Sequence, residues 1–437
     1  MRVTAGPALA AIGIGAALVI ALWWQDTRYV LGFGGWLTNA GRITGLLAGY
    51  AVVVLLAMMA RVPALERGVG TDRLARWHAM GGRYTVTLSV AHTLLIIWGY
   101  AVTAHANVLH ETANVVTTYT DMLMATVALG LLVAVGVTSA RAARRRLSYE
   151  TWHFIHLYTY LAIALAFSHQ FATGADFVTN LKARLLWSAM YLFVAALLVW
   201  YRLCAPIRNA IRHDLRVVDV RRESADVVSV YITGRRLESL GTESGQFFRW
   251  RFLTRDLWWA ANPYSLSAAP RPDLLRITVK MSGGHSAALL RLRPGTRVLA
   301  EGPSGGFTAA RRLRNKVLLL AGGVGITPIR ALFETLPGHP GDVTVIYRTA
   351  SVDDIVLRGE LDEIARRRGA RVHYLIGPPG KGAKDHLSPT SLQRLVPDLR
   401  ERDVFLCGPE PMMQAAQRSL RTAGVSRRHI HHESFAF

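Results

Sequence analysis

The sequence predicts a multidomain membrane protein: a six-helix transmembrane bundle, then a small antiparallel β-barrel, then an α/β Rossmann-like domain. Three observations predict it. Apolar runs long enough to cross a bilayer crowd the first half of the 437 residues, and hydrophobic content overall is 51%. From about Asp214 the pattern changes to short strands such as LRVVDV, VVSVYIT and LLRITVK, separated by turn residues. After about Arg314 it becomes β–α–β, opening with KVLLLAGGVGITPIRALFE. The corresponding domain limits are 1–207, 208–312 and 313–437.

The expected spans lie at 8–24, 43–60, 83–103, 122–140, 152–171 and 184–203. The first is preceded only by Arg2 and ends on the interfacial pair Trp23 and Trp24, so it reads as a span rather than a cleaved signal. The loop after the second span carries Arg61, Arg67, Arg73 and Arg76, and the loop after the fourth carries Arg141, Arg144, Arg145 and Arg146. The stretch 102–120 has no lysine or arginine. The positive-inside rule then places both termini in the cytoplasm, and the expected location is a plasma (inner) membrane. Much of the net charge of +22 has this topological cause. No basic stripe interleaved with aromatics marks a nucleic-acid surface, so the expected partners are the lipid bilayer and small molecules. Two cysteines, Cys204 and Cys407, are too few for a disulfide framework, a zinc site or a four-cysteine iron–sulfur cluster. Any redox centre has to come from bound cofactors with other ligands.

Ligand-capable residues inside spans are costly in hydrocarbon and point to function. The third span offers His78 and His92, and the fifth offers His153, His156 and His169. Haem suits such positions, because a neutral imidazole ligates iron axially and two facing helices supply one ligand each. His78 and His92 are 14 residues apart, nearly four helical turns, which puts them on one face about 21 Å apart. Because the two spans run in the same direction, His78 pairs with an inner histidine and His92 with His169. His156 and His169 are 13 residues apart and His153 and His169 are 16 apart. Neither spacing gives one face of an ideal helix, so geometry leaves the inner ligand open between His153 and His156.

The segments RWHAMGGRYTVTLSVAH (76–92) and YETWHFIHLYTYLAIALAFSHQ (149–170) resemble the paired-histidine helices of the ferric reductase and NADPH oxidase family. That resemblance implies two b-type haems stacked across six helices. Fifth-helix ligands in the family are 13 residues apart, which selects His156 and leaves His153 to a propionate contact or to packing. The implied metal ligands are thus His78, His92, His156 and His169.

The soluble half carries matching signals. NPYSLS (262–267) resembles the flavin motif of the ferredoxin–NADP reductase superfamily, which implies FAD bound by Asn262, Pro263, Tyr264, Ser265 and Leu266. By that resemblance Tyr264 stacks on the isoalloxazine and Ser265 hydrogen-bonds near its N5. Asn262 departs from the usual arginine or histidine and brings no charge to a pyrophosphate. KMSGGHS (280–286) is similar to the turn that cradles flavin pyrophosphate, with Gly283 and Gly284 admitting the ligand, Ser286 donating a hydroxyl and Lys280 offsetting the missing charge.

AGGVGITP (321–328) follows an apolar strand and opens a helix, so Gly322, Gly323, Gly325, Thr327 and Pro328 form a candidate dinucleotide turn. FLCGPEPMM (405–413) resembles the superfamily's nicotinamide motif, with Cys407, Gly408 and Pro409 near the nicotinamide–flavin contact. Arg348 ends the strand VTVIYR where an acidic residue would favour an unphosphorylated ribose; with Ser351 it favours NADPH over NADH. The chain ends HHESFAF, and superfamily members commonly place an aromatic near the C-terminus over the flavin, a role open to Phe435 or Phe437.

The resemblances imply a membrane oxidoreductase. NAD(P)H gives a hydride to FAD, and single electrons pass through the inner and then the outer haem to an acceptor on the opposite face. The outer loops offer His105, His110 and Glu111 as a metal-capable group, which favours ferric iron or a ferric chelate over dioxygen. The rival of another class is a membrane-anchored flavoprotein sensor or scaffold without haem.

Overall fold

The computed structural model describes residues 3–144, 146–147, 149–178, 180–377 and 385–433. The chain divides into two compact units, Met1–Leu203 and Cys204–Phe437.

The first unit is helical: α1 (Ala5–Asp26), α2 (Gly32–Met59), α3 (Pro63–Val69), α4 (Thr71–Thr103), α5 (Val108–Thr118), α6 (Met122–Ser139), α7 (Arg141–Arg144), α8 (Tyr149–Thr173), α9 (Ala175–Val178) and α10 (Leu181–Val199). Among the described residues, five helices are long and apolar enough to cross a membrane, within Ala5–Gln25, Gly32–Met59, Arg73–Thr103, Met122–Ser139 and Leu181–His213. The fifth expected span, 152–171, forms the 25-residue helix α8, long enough to cross but not among those five. Three histidines and two mid-helix tyrosines dilute its apolar content.

Apolar side chains gain little by leaving lipid for one another, so helices in a bilayer associate through close backbone approach. Helices α2 and α4 pack this way. A Cβ at Gly41 would lie 2.8 Å from Ile96, and one at Gly99 would lie 2.7 Å from the Thr38 amide nitrogen. Gly34, Thr38, Gly41, Gly45 and Gly49 recur every three or four residues and so form one stripe along α2. Elsewhere in the unit the Tyr50 hydroxyl donates to the Ile12 carbonyl at 2.9 Å, and the Trp187 indole donates to Gln170 Oε1 at 2.7 Å.

The second unit opens with α11 (Ala205–His213) and the strands β1 (Arg216–Arg222), β2 (Val227–Thr233), β3 (Phe247–Phe252), β4 (Asn262–Ser265), β5 (Leu274–Lys280) and β6 (Val298–Ser304), with the short helix α12 (Gly284–Ala287) between the last two. The strands form two three-stranded antiparallel sheets, ordered β1-β2-β5 and β4-β3-β6. Single bridges, Arg216 to Arg297 and Leu266 to Ile277, link the sheets. Both sheets contribute to one core, including Val217, Val230, Ile232, Phe248, Trp250 and Ile277.

The remainder alternates strictly: β7 (Val317–Gly322), α13 (Ile326–Thr335), β8 (Val343–Thr349), α14 (Arg358–Arg368), β9 (Arg371–Ile376), α15 (Pro389–Leu395), β10 (Asp403–Cys407), α16 (Glu410–Thr422) and β11 (Ile430–Glu433). The sheet is wholly parallel, in the order β11-β10-β7-β8-β9. Helices cover both faces, so β7 is buried along its whole length: Leu319 and Ala321 enter one core, Leu318 and Leu320 the other. The strand order reverses between β7 and β10, and the crevice at the carboxyl ends of such neighbours is where open α/β sheets bind ligands.

Candidate functional site

In the membrane unit the imidazoles of His78 on α4 and His156 on α8 face each other with ring centroids 6.0 Å apart, and those of His92 and His169 lie 6.1 Å apart. A metal bonded at about 2 Å to an imidazole nitrogen on each side requires a centroid separation of roughly 6 Å. Both pairs therefore have the span of an axial bis-histidine site. Helix α8 is continuous through His156 and His169. Within the pairs the ring planes meet at 72° and 42°. His156, rather than its neighbour His153, is the ring that meets His78.

The pairs are oriented differently. His92 Nδ1 lies 2.8 Å from the Gly41 carbonyl, so this nitrogen donates and Nε2 is left as the metal-binding atom. A Cβ on Gly45 would come within 2.6 Å of the same ring. His169 Nδ1 lies 3.2 Å from the Thr173 hydroxyl. In the inner pair, Trp152 stacks on His156 at 5.2 Å with 25° between planes, and the Arg144 guanidinium sits 4.7 Å above the same indole. His156 Nδ1 is buried without a hydrogen-bond partner. Sequence reasoning missed Gly41, Gly45 and Trp152. The glycine spacing was visible in the sequence, but what it packs against was not.

The expected outer metal group does not form. Among the described residues no three His, Cys, Asp or Glu side chains come together to hold a metal ion. Glu111 instead accepts from the Asn114 amide at 3.2 Å. His105 follows the end of α4, whereas His110 lies in the first turn of α5.

In the second unit the two flavin-like segments converge, with Asn262 Nδ2 2.6 Å from His285 Nδ1. Tyr264 packs on the core of the two antiparallel sheets. Burial pushes its phenol up to about 12, against a smaller downward effect of Asn262. The Trp250 indole donates to the Tyr264 carbonyl at 2.9 Å and pins strand β4. Ser265 Oγ is buried with no hydrogen-bond partner, an orphaned donor that suits a polar ring atom of a flavin. Pro263 pairs with Arg249 in the ladder. The Leu266 side chain is fully buried and its amide donates to Gln246 at 3.0 Å, so it supports the strand from within.

The glycine turn before α12 is open: a Cβ on Gly283 or Gly284 would meet nothing within 4 Å. Ser286 Oγ closes this turn, accepting from the Ser282 and Gly283 amides at 3.1 Å each. Lys280 pairs with Asp226 at 3.0 Å, so its charge is already partly compensated.

A part-buried ionic network missed by sequence reasoning connects the flavin-like strands to the nucleotide helices. Arg276 on β5 reaches Glu360 on α14 through two bonds of 2.6 and 2.9 Å and donates to the Ser267 carbonyl at 2.8 Å. Arg330 on α13 meets Glu360 at 2.8 Å and also pairs with Glu334, which accepts from the Ala269 amide at 3.0 Å. Burial would raise the Glu360 carboxyl, but Arg276 and Arg330 outweigh it and hold it below the usual range.

At the switch point the two glycine-rich turns touch. A Cβ on Gly325 would strike the Cys407 carbonyl, and one on Gly408 would lie 3.1 Å from the Gly322 backbone. Gly323 has φ +52°, which glycine adopts readily. Thr327 donates to the Val324 carbonyl at 3.0 Å and, with Pro328, opens helix α13. Pro409 leads into α16. Cys407 ends β10 fully buried; burial, and then the Glu433 charge, push its thiol well above the ordinary range, so it stays protonated. Arg348, one residue before the end of β8, pairs with Gly322, and its buried Nε has no hydrogen-bond partner. Ser351 Oγ is engaged by Asp354 at 2.8 Å. Phe435 and Phe437 lie outside the described residues.

Known proteins share these parts. Residues 44–167 match the family of the ferric reductase like transmembrane component, and residues 319–418 match the oxidoreductase NAD-binding domain. The chain is 31% identical over 239 residues to the glycine betaine monooxygenase reductase subunit of Chromohalobacter salexigens, covering 51% of this chain and 64% of that one. It is 33% identical over 237 residues to the ferredoxin reductase component of 3-ketosteroid-9-alpha-monooxygenase from Mycolicibacterium smegmatis, covering 51% and 65%. The chain thus spans less than two thirds of the length of these relatives. Among solved structures, the flavohem-like FAD/NAD binding domain of nitric oxide dioxygenase from Vibrio cholerae aligns with a TM-score of 0.43 at 25% identity, covering 51% of this chain and 98% of that one. From the two family matches, the chain joins a ferric reductase-like transmembrane component to the NAD-binding module of the NAD(P)H-dependent oxidoreductases.

Proposed function

We propose that this protein is a transmembrane oxidoreductase that draws on cytoplasmic NAD(P)H and reduces a ferric species on the opposite face. The two facing histidine pairs carry the reading, because two pairs of imidazoles about 6 Å apart on two helices could each hold one b-type haem iron. When bound, FAD supplies the exchange between hydride and single-electron chemistry, and haem iron supplies one-electron carriage. His78 with His156, and His92 with His169, would hold the haems. Gly41 fixes the His92 tautomer, and Trp152 fixes the His156 ring.

In the soluble unit Tyr264 and Ser265 would bind the flavin ring. The turn Gly283–Gly284, with Asn262 and His285 beside it, would take the pyrophosphate. Gly322, Gly323, Gly325 and Thr327 would receive the nicotinamide dinucleotide against Cys407, Gly408 and Pro409. Arg348, whose buried Nε has no partner, would meet a ribose phosphate, which favours NADPH. The arrangement we favour has six spans, both termini in the cytoplasm of a plasma (inner) membrane, an FAD domain over 208–312 and a nucleotide domain over 313–437.

The ferric acceptor rests on the family match of residues 44–167 and no longer on the outer histidines. Sealed vesicles test the reading, with NADPH on the cytoplasmic face and ferric chelate or dioxygen on the other. Iron reduction that His92→Ala abolishes is the expected result. Superoxide formation without iron reduction would make dioxygen the acceptor. A flavin spectrum with no Soret band would leave only a membrane-anchored flavoprotein.

A further inference from the structure

We infer that helix α11 is an interfacial helix whose outward face binds anionic phospholipid headgroups. The inference rests on the reading of residues 181–199 as a membrane span. Chain connectivity keeps α11 close to the end of that span: only the five residues Trp200–Cys204 separate α10 from α11. No acidic residue occurs between Asp176 and Asp214, a stretch that holds Lys182, Arg184, Arg202, Arg208 and Arg212.

The helix has two unlike sides. One is fixed to its own unit: His213 is buried and its Nδ1 lies 2.9 Å from the Arg235 carbonyl, while Asn209 and Ala210 are half-buried. The other presents Ile207 and Ile211, 50% and 78% exposed, together with exposed Arg208 and Arg212. The isoleucines are one turn apart, and so are the arginines. With Cys204 these four residues line one shallow groove. Apolar side chains flanked by arginines suit the boundary between acyl chains and headgroups: the isoleucines enter the former and the arginines meet phosphate. The charge of the face selects anionic lipid.

The test uses the full-length chain in nanodiscs of phosphatidylcholine alone or with phosphatidylglycerol. A nitroxide is placed at Ile211→Cys in a Cys204→Ser background, Cys407 being fully buried. Leu192→Cys, exposed on α10, carries the same label as a marker of the span. The expected result is a label at 211 that is open to oxygen and shielded from a water-soluble nickel chelate when phosphatidylglycerol is present. Replacing either arginine with glutamine lowers the bilayer-inserted population about five-fold in that lipid, the effect of removing one interfacial charge.

A water-exposed label at 211 beside a lipid-exposed label at 192 overturns the inference and leaves the span intact. Water exposure at both positions removes the span itself. Insertion that is equal in the two lipids, or spin–spin broadening between copies, also overturns the inference, the latter in favour of a dimer contact.

Discussion

The two units hold their functional side chains by opposite means. The membrane unit works by subtraction: Gly41 and Gly45 have no side chains, so α2 approaches α4 closely enough for a backbone carbonyl to reach His92. The soluble unit works by addition, setting the buried Arg276 and Arg330 around the half-exposed Glu360 in a cluster that connects the strand after Ser265 to the helix after Gly325. The difference follows from the solvent. In lipid the gain lies in close packing and satisfied backbone groups, and a buried charge is hard to place. In water, burial of apolar strands supplies the stability, and a few buried charges with several partners each can be accommodated to fix geometry.

The comparison breaks most severely at Gly45. Valine there pushes against the His92 ring, so Gly45→Val should lose the outer haem, about half of the haem measured per chain, and all reduction on the far face. An undiminished haem content would show that α2 yields and that contact distance does not set the site. Next is Arg276→Met, which leaves the half-exposed Glu360 to Arg330 alone; losing a charged hydrogen-bond partner at such a site costs about 1.5 kcal/mol. The measurement is the denaturation midpoint followed by flavin release, and haem content should stay unchanged. A simultaneous loss of haem would mean that the two units are coupled rather than independently held.

Acid sharpens the contrast. Asp398 lies 2.7 Å from Arg402 and 2.8 Å from Lys316; burial opposes its ionisation, but these partners prevail and hold it down to about 2. A depressed carboxyl contributes stability above its unfolded value of about 3.9, and that contribution is lost as pH falls through the folded value. Glu360 shifts in the same direction. The soluble unit should therefore loosen progressively below about pH 4, seen as flavin release, while the glycine contacts of α2 and α4 contain nothing to titrate. Smallest is Trp152→Leu, which removes the stack on His156; an aromatic contact of about 1 kcal/mol corresponds to roughly five-fold weaker retention of the inner haem in a haem-transfer assay. The outer haem should be unaffected.

The sequence was most readable where function depends on local patterns. Apolar runs marked the helices, and the turns at 283–284 and 322–325 fell between elements of the expected kind, because glycine after a strand is a local signal. The pairing of His78 with an inner partner followed from depth alone. What stayed hidden depends on partners distant in sequence. Arg276 and Glu360 are 84 residues apart, and nothing near either names the other. The reverse error arose at His105, His110 and Glu111, where closeness along the chain suggested a metal group that the turn between α4 and α5 does not assemble.

The bond from His92 to the Gly41 carbonyl also bears on how the protein matures. A ring that already donates through one nitrogen has its other nitrogen deprotonated and aimed before any metal arrives. His156, with its Nδ1 uncommitted, still has to choose between two tautomers. For the proposed haems, the His92 side of one site would thus be set in advance and the His156 side of the other settled on loading, an asymmetry of assembly rather than of turnover.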